Sequence, residues 1–376
     1  MARAADGTAR RPLPQPGGIR PMIALSDEDR AAIDAAVSAA LERLRERAAP
    51  LGAGAVALAD AAAAAGADGK RLRPRLVVAA FRALVGDDTS TSEPALWQVA
   101  AAFEVLHTAF VVHDDLIDRD LERRGIPNVG GRFRTRALQF GATSSDAALL
   151  GDAAAVLAGD LLLAEASRLI ATADLSIAVR TELFAILDDA ILVSVAGELA
   201  DVENTLRSDV PDTDDLLDVA RAKTAAYTFE APLLAGAALA GASLAARAEL
   251  APAAADLGLA FQLVDDLIGT FGTRRQAGRE PGADLREAKR TPLIGLARRR
   301  DAWPQVESAL AVAHTGPIAI RRAQRELEAS GARDDVEALV HAALHRARAR
   351  AASPDLPTPA VALLSRIAAV IEERIP

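Results

Sequence analysis

The 376-residue chain has no cysteine, five histidines and only 3% aromatic residues. The absence of thiols excludes disulfides, thiolate metal centres and cysteine nucleophiles. Five histidines without any cysteine also disfavour a zinc site. The net charge of −9 argues against general nucleic-acid binding. No stretch approaches the ~18 unbroken apolar residues of a membrane span. We therefore expect a soluble, cytoplasmic protein without a transmembrane segment.

Small and medium apolar residues are what the chain has in abundance. Hydrophobic residues make up 51% of the sequence, and most of them are alanine, leucine and valine. Alanine and leucine are strong helix formers. The composition therefore predicts an all-α fold with a substantial core.

The chain divides into a short polar tail and one long helical region. Residues 1–25 are rich in arginine, proline and glycine and have no apolar run, which predicts a disordered tail rather than a secretory signal. Ser26 and Asp29 have the spacing of a helix N-cap, and we expect residues 26–376 to form a single domain. Helical periodicity predicts helices at about 27–48, 71–85, 94–119, 147–172, 177–205, 213–241, 244–271, 286–299, 317–330, 333–351 and 358–374. No strand pattern is evident, and 122–146 and 272–285 are predicted to be loops.

Two similar acidic clusters end two apolar helices. Asp114-Asp115-Leu116-Ile117-Asp118 has a near copy in Asp265-Asp266-Leu267-Ile268-Gly269. We expect the two clusters to face each other across a cavity, where their carboxylates would repel unless a cation lay between them. Mg²⁺ carrying a phosphorylated substrate suits such a place, because one or two carboxylates, waters and phosphate oxygens typically hold it.

The first cluster lies on one stripe of its helix. His107, Phe110, Asp114 and Asp118 stand at offsets of 0, 3, 7 and 11 residues. Like charges four residues apart, near a helix C-terminus, disfavour the helix unless a cation is bound. Gly269 stands where the second copy would carry its last carboxylate, so the second cluster should bind metal through fewer ligands, chiefly Asp265.

Basic groups are interleaved with these acidic clusters. Lys70 and Arg73 are three residues apart at the start of a predicted helix, hence expected on one face. The other basic positions are Arg123, Arg124, Lys223, Arg279, Arg286, Lys289 and Arg290. Arginine forks and lysine point charges are typical of diphosphate recognition.

As a set, these residues resemble the trans-prenyltransferase family, the isoprenyl diphosphate synthases, from about Leu51 to the C-terminus. The matching segments are GKRLRP at 69–74, LH at 106–107, VHDDLID at 112–118, RRGIP at 123–127, GDLL at 159–162, KTA at 223–225, FQLVDD at 261–266, GADL at 282–285 and KRT at 289–291. The departures are Gly269, where the family has an aspartate, and Ala288, where it usually has glycine.

The resemblance implies a role for each matching residue. It implies that isopentenyl diphosphate is held by Lys70, Arg73, His107 and Arg124. It implies that Mg²⁺ and the allylic diphosphate are held by Asp114, Asp118 and Asp265 with the neighbouring Asp115 and Asp266, and by Arg123, Lys223, Arg279 and Lys289, helped by Gln262 and Thr224. It also implies a large antiparallel helical bundle with a central active-site cavity, usually a homodimer, and an isopentenyl transfer that lengthens the allylic chain.

Product length should depend on the cavity floor. Phe110 lies one helical turn below Asp114, beside the small Ala109, which favours a short-to-medium product, C20 first and C15 or longer next.

Three alternatives remain at this point. The first is a terpene cyclase. A cyclase needs no second diphosphate clamp, so Lys70, Arg73 and Arg124 argue against it. The low content of aromatic residues argues against it too, because cyclases usually line the cavity with aromatic rings that stabilise cations. The second is an inactive partner subunit, to which Gly269 points. The third is a purely structural helical protein, which gives no reason for these charged clusters.

Overall fold

The computed structural model describes residues 22–67, 69–86, 91–207, 209–277 and 280–376. The predicted tail lies outside these ranges except for residues 22–25, of which Ile23 is buried in the core. The predicted site residue Arg279 also lies outside them. The predicted N-cap of the first helix is present, because the Ser26 hydroxyl accepts a hydrogen bond of 3.0 Å from the Asp29 amide.

The described residues are almost entirely helical, and the all-α prediction is confirmed. The first part of the chain forms α1 (Asp27–Ala48), α2 (Ala53–Ala67), α3 (Leu72–Leu84), α4 (Glu93–Ile117), α5 (Val129–Gln139), α6 (Ser144–Ala171) and α7 (Ile177–Leu206). The second part forms α8 (Thr213–Ala220), α9 (Ala231–Leu239), α10 (Leu244–Phe271), α11 (Arg274–Ala277), α12 (Ala283–Arg286), α13 (Pro292–Arg298), α14 (Trp303–Leu310), α15 (Pro317–Ala329), α16 (Ala332–Ala351) and α17 (Thr358–Glu372). Two 3₁₀ turns lie at Ala49–Leu51 and Ala313–Thr315, and a π-helix lies at Arg221–Glu230.

The predicted loop at 122–146 is wrong in its details. A hairpin of two short antiparallel strands, β1 (Glu122–Arg123) and β2 (Ile126–Pro127), is followed directly by α5. The Asn128 side chain caps α5 by accepting from the Gly131 amide at 2.9 Å. Glycine and arginine in the first turns of α5 interrupt the spacing of its apolar residues, so the sequence pattern does not indicate a helix there. The predicted loop at 272–285 is also wrong in part, because it contains α11 and the start of α12, both of four residues.

The helices α2 and α14 were not predicted either. Helix α2 is so rich in alanine that it has no contrast between a polar and an apolar face.

The third helix begins later than its sequence pattern predicts. Arg71 adopts a left-handed backbone conformation with φ of 51°, and α3 starts at Leu72. Lys70 therefore lies outside the helix, and the argument that Lys70 and Arg73 share one helical face is wrong. The two residues still line the same cavity, because the turn at Arg71 brings the chain back toward it.

The two helices that carry the acidic clusters are the axes of two packed halves. Helix α4 packs against α1, α3 and α6, and α10 packs against α16, α17 and the π-helix. Both helices bury long alanine- and leucine-rich faces, in which Phe103 and Leu263 are fully buried. The acidic ends of α4 and α10 are thereby fixed by extensive apolar packing.

Two of these helices, α4 and α6, are long and apolar enough to cross a membrane by length and composition alone. In α4, 72% of the most apolar window is buried inside the protein, as in a core helix. In α6 the buried share is 39%. One face of α6 therefore belongs to the core, with Leu162 fully buried, while the other face points outward.

The predicted continuous helix at 213–241 is interrupted by the π-helix. Single π-turns inside helices are uncommon and occur frequently at functional sites. Gly197 of α7 permits this packing, since a Cβ there would lie 2.4 Å from the Lys223 backbone nitrogen. The π-helix thus carries Lys223 and Thr224 directly over α7.

We predict that Gly236→Ala destabilises the protein. Gly236 lies where α9 crosses α3, and an added Cβ would meet the Val77 carbonyl oxygen at 2.3 Å and the Phe81 amide nitrogen at 2.9 Å. Because backbone cannot move aside cheaply, overpacking here should lower the free energy of unfolding by about 1–3 kcal/mol, measured by denaturant titration.

Gly54→Ala is the matched control. Gly54 lies in α2 and has no atom within 4 Å of a Cβ position. Alanine should therefore raise stability by about 0.5–1 kcal/mol through helix propensity. Equal effects of the two substitutions would refute the crossing argument.

Candidate functional site

The first acidic cluster faces two lysines from distant segments. Asp114 lies in the last turn of α4, and Asp118 is the residue that follows the helix. The Lys223 Nζ lies 3.7 Å from an Asp114 oxygen, and the Lys289 Nζ lies 3.9 Å from an Asp118 oxygen. Burial, followed by the charge of Asp114, raises the pKa of the Asp118 carboxyl. The two lysines therefore neutralise only part of the negative charge of the cluster.

Asp115 and Asp114 share one arginine partner at the same helix end. The Arg123 guanidinium, presented by β1, lies 2.7 Å from an Asp115 oxygen and 3.5 Å from Asp114. Burial raises the pKa of Asp115, although Arg123 opposes that shift. Arg124 follows with a left-handed φ of 56°, which turns the strand pair at its tip.

Two acidic residues of α7 complete this side and were not predicted. The Lys223 ammonium contacts Glu198 at 3.0 Å and Asp201 at 2.8 Å. Burial disfavours the charged form of Lys223, but Asp201 and Glu198 outweigh it and raise its pKa. Their only sequence signal was a pair of acidic residues three apart in an apolar helix.

The second acidic cluster lies in the last turns of α10. Asp265 accepts from the Arg374 guanidinium, which also stacks over the Phe261 ring at 4.5 Å. Asp266 accepts a 2.8 Å hydrogen bond from the Gln262 side-chain amide. Burial raises the pKa of Asp265 and raises that of Asp266 further. Arg374, which follows α17, was not among the predicted site residues.

A basic pocket lies beside these clusters. Arg73 donates to the Tyr227 hydroxyl at 3.1 Å and to Thr228 at 2.8 Å. Its Nε and the His107 Nδ1 are buried without a hydrogen-bond partner among the described residues. Burial, together with the neighbouring Arg73 and Arg123, holds the pKa of His107 well below its ordinary value. The positive charge of Arg73, Arg123 and Arg124 around this pocket suits an anion.

One cavity of about 570 Å³ connects this pocket with both acidic helices. Its charged and polar lining includes Lys70, Arg73, His107, Asp115, Arg123, Arg124 and Asp265. A neighbouring cavity of about 260 Å³ is lined by Lys223, Thr224, Gln262, Asp265, Asp266, Asp284 and Lys289, among others. Asp265 borders both cavities. All the described site residues discussed so far thus lie around one region.

The predicted floor residues lie on the same stripe as the acidic cluster. Phe110 is half-buried and meets the Tyr227 ring edge-on, with centroids 4.9 Å apart. Ala109 is fully buried in the core behind it. Tyr227, on the π-helix, therefore faces both Phe110 and Arg73.

The donor set fits a hard divalent cation that brings ligands of its own. The carboxylates of Asp114, Asp118 and Asp265 offer only oxygen, which Mg²⁺ prefers. No group of three or more potential ligands close enough to hold a metal by themselves occurs among the described residues. This arrangement suits Mg²⁺ held jointly by carboxylates, waters and a diphosphate, and does not suit a preformed all-protein metal cage.

The family is decided by a sequence match of residues 57–322 to the polyprenyl synthetase model. The chain belongs to the polyprenyl synthetase family. This match contains the two acidic clusters and the basic positions described above except Arg374, and the family resemblance of the motifs is confirmed.

Named relatives of this polyprenyl synthetase differ in the product that their names give. A (2E,6E)-farnesyl diphosphate synthase of Mycobacterium tuberculosis is 38% identical over 223 residues, which is 59% of this chain and 55% of that protein. A geranylgeranyl diphosphate synthase of Sulfolobus acidocaldarius is 34% identical over 228 residues, 60% and 62% of the two chains. A geranylfarnesyl diphosphate synthase of Aeropyrum pernix is 31% identical over 291 residues, 75% and 82% of the two chains. The chain thus spans less than two thirds of the first two relatives.

Solved structures of the same fold match nearly the whole polyprenyl synthetase. A geranylgeranyl pyrophosphate synthase from Corynebacterium glutamicum, complexed with isoprenyl diphosphate and magnesium, has a TM-score of 0.86 and 28% identity, covering 93% of this chain and 100% of its own. A polyprenyl synthase from Caulobacter crescentus, complexed with calcium and isoprenyl diphosphate, has a TM-score of 0.72 and 27% identity, covering 97% and 100%.

Proposed function

We propose that this polyprenyl synthetase is a trans-prenyl diphosphate synthase that condenses isopentenyl diphosphate with an allylic diphosphate. The observation that carries the proposal is that one cavity is lined both by the basic residues Lys70, Arg73 and Arg124 and by one carboxylate from each acidic cluster, Asp115 and Asp265. One anionic substrate suits the pocket, and a second anion with metal suits the carboxylates.

The basic pocket is proposed to bind isopentenyl diphosphate through Lys70, Arg73, His107 and Arg124. These four residues line the same cavity of about 570 Å³. Diphosphate oxygens placed there would balance the positive charge of Lys70, Arg73 and Arg124.

The acidic clusters are proposed to bind the allylic diphosphate through Mg²⁺. Asp114, Asp118 and Asp265 would hold the ions, and Asp115 and Asp266 would support them. When bound, Mg²⁺ would draw charge from the diphosphate oxygens. Lys223, Lys289 and Arg123, which already contact the first cluster, would stabilise the charge that develops on the leaving group. Gln262 and Thr224 would hydrogen-bond it, and Arg279 would reach it from the segment outside the described residues.

The reaction then needs only bond exchange and charge stabilisation. The allylic C–O bond breaks, and the diphosphate leaves with the electron pair. The double bond of isopentenyl diphosphate attacks the allylic cation and forms a C–C bond, and loss of a proton, for which the released diphosphate is the nearest base, restores a double bond. The alanine- and leucine-rich walls exclude water from the cation.

We predict that turnover requires both diphosphates, a divalent metal and Asp114. Purified protein given Mg²⁺, isopentenyl diphosphate and C5, C10 or C15 allylic diphosphate should yield longer prenyl diphosphates, identified by mass spectrometry. Asp114→Ala should lower turnover by on the order of 100- to 1,000-fold while its thermal unfolding changes little, because Asp114 is half-exposed at a helix end.

Glu307→Ala, an exposed carboxylate on α14, is the matched control and should keep full activity. Metal removal with EDTA should abolish turnover reversibly. Products formed from the allylic diphosphate alone would favour a terpene cyclase, and a homogeneous protein that never turns over would favour an inactive partner subunit.

We propose that Phe110 limits the product, with C20 favoured. Phe110 and Tyr227 form an aromatic contact one turn below Asp114, and neither ring is among the residues that line the two cavities, so the tail would have to extend beyond them to reach this contact. Phe110→Ala should lengthen the products by one or more isoprene units, measured by mass, because the aromatic contact would be removed. Phe140→Ala, a largely exposed ring on the surface, is the control. An unchanged product distribution in Phe110→Ala would exclude this residue as the floor.

We further propose that two copies associate through an apolar face of α6 and α7. This α6–α7 face consists of the exposed residues Leu149, Leu150, Val156, Leu157, Leu161, Leu192, Val193, Val195 and Leu199. The two helices pack side by side, so their outward stripes adjoin. A contiguous apolar patch of this kind marks an interaction surface. The opposite side of α6 is packed in the bundle, so lipid could not surround this helix.

We predict a solution mass of about twice the 39.1 kDa of one chain. Leu157→Glu together with Leu199→Glu should convert the protein to monomer in size-exclusion chromatography with light scattering, because two buried carboxylates would face the partner. Ile318→Glu, at an exposed apolar residue on α15, should leave the mass unchanged. A wild-type protein of single-chain mass would contradict the proposal.

A further inference from the structure

Arg71 lies in sequence between Lys70 and Arg73, but its own side chain is bound within the protein. It is only 8% exposed. Its guanidinium donates to the Gly66 and Ala67 carbonyl oxygens at 2.8 and 3.0 Å. These carbonyls belong to the last turn of α2, where backbone oxygens have no partner within the helix. The Arg71 side chain therefore caps the end of α2.

Two carboxylates from other helices bind the same guanidinium. Asp34 of α1 accepts from the Arg71 Nε at 3.0 Å, and Glu104 of α4 accepts from the Arg71 Nη1 at 3.1 Å. Glu104 is only 4% exposed, so solvent screens this ion pair little. All three nitrogens of the guanidinium thus donate to protein oxygens. One side chain links the start of α3 to α1, α2 and α4.

The backbone of Arg71 has a conformation that residues with a side chain disfavour. Its φ of 51° and ψ of 42° are left-handed, a region in which Cβ crowds the following carbonyl oxygen. The Arg71 carbonyl oxygen nevertheless accepts from the Arg75 amide at 3.1 Å at the start of α3. The hydrogen bonds of the guanidinium therefore offset the cost of this turn.

The turn determines where Lys70 and Arg73 stand relative to each other. The two residues lie on either side of Arg71, so a change of its backbone dihedrals would move one relative to the other. Both line the cavity of about 570 Å³. Arg73 is also held by Thr228, to which it donates at 2.8 Å. Lys70 is exposed, so its position depends on the direction of the chain at Arg71.

We propose that Arg71 is a positioning residue of the isopentenyl diphosphate site, because its bonds to α1, α2 and α4 hold the left-handed turn that directs Lys70 and Arg73 into one cavity. This inference rests on the proposed function, since it concerns the same basic pocket. Arg71 then acts through the backbone and not by contact with the diphosphate. The carboxylates proposed for the allylic diphosphate lie on other segments, so loss of Arg71 should weaken isopentenyl diphosphate binding selectively.

The test compares two substitutions of this arginine. Arg71→Ala removes its hydrogen bonds and keeps a Cβ, which disfavours the turn. Arg71→Gly removes the same hydrogen bonds, but glycine adopts positive φ readily. Isothermal titration calorimetry gives the Kd of isopentenyl diphosphate, and steady-state kinetics with Mg²⁺ gives the KM of isopentenyl diphosphate and of the C15 allylic diphosphate. Circular dichroism and thermal unfolding check the fold of each variant.

We expect Arg71→Ala to raise the Kd and KM of isopentenyl diphosphate by about 10- to 100-fold, because misplacing a binding group by about 1 Å can cost about 100-fold. The KM of the allylic diphosphate should change little. Arg71→Gly should raise the Kd of isopentenyl diphosphate less than Arg71→Ala does, because glycine retains the turn. A purely structural role would instead affect both diphosphates alike and follow the loss of thermal stability.

Asp34→Asn tests the same network from outside the cavity. The Asp34 side chain is 62% exposed, and Asp34 is not among the described residues that line the cavity. Loss of its charge should raise the Kd of isopentenyl diphosphate by about 2- to 5-fold, the range of an exposed ion pair. Asp60→Asn is the matched control, because the Asp60 side chain is 50% exposed and pairs with Arg45 at 2.8 Å. This control should bind isopentenyl diphosphate as wild type does.

Three results would overturn this inference while the wild-type enzyme still turns over. They are a wild-type Kd of isopentenyl diphosphate in Arg71→Ala or Asp34→Asn, equal losses in Arg71→Ala and Arg71→Gly, and an equal rise in KM for both diphosphates. If Arg71→Ala does not fold, the result for Asp34→Asn decides. A wild-type protein that neither binds isopentenyl diphosphate nor turns over would instead refute the proposed function itself.

Discussion

The constraint on which the rest of this structure depends is the crowding of carboxylates at the ends of two apolar helices. Burial and a neighbouring carboxylate raise the pKa of Asp118 and of Asp266, and burial raises that of Asp265. The packing of α4 and α10 fixes the helix ends on which these groups stand. Stability of the charged state must therefore come from cations, either from the protein or from a bound metal.

The cations of the protein come from segments far apart in the chain. Lys223 lies on the π-helix, Lys289 follows α12, and Arg374 follows α17. Each touches a carboxylate that the proposed function assigns to metal binding, and Lys223 also touches Glu198 and Asp201. These ion pairs partly balance the negative charge of the carboxylates before a ligand binds. Binding a diphosphate together with its metal ions would then replace ion pairs within the protein by contacts with the ligand.

Several charged or polar residues around this region lie on or next to irregular backbone. Arg71 and Arg124 adopt left-handed conformations, a π-helix carries Lys223 and Thr224, and Gly282 turns the chain ahead of Asp284. The helical bundle supplies rigid walls, but a straight helix exposes only one stripe to a cavity. Breaks in regular geometry therefore bring additional charged groups to the same place. The cavity wall on the side of α10 is likewise assembled from two segments, because Asp265 and Asp266 of α10 and Asp284 of α12 line the same cavity.

The sequence by itself determined the all-α class, the two acidic clusters and most of the basic positions, because helix propensity and motif spacing are local properties. Tertiary structure alone decided which groups meet. Asp265 and Arg374 are 109 residues apart in sequence, and no periodicity links them. The hairpin and α5 were not predicted, because glycine and arginine interrupt the apolar spacing from which helices are predicted. Gly269 read as a missing ligand, and only the packing of α12 placed the Asp284 carboxyl beside it, since contacts between distant segments depend on how helices stack.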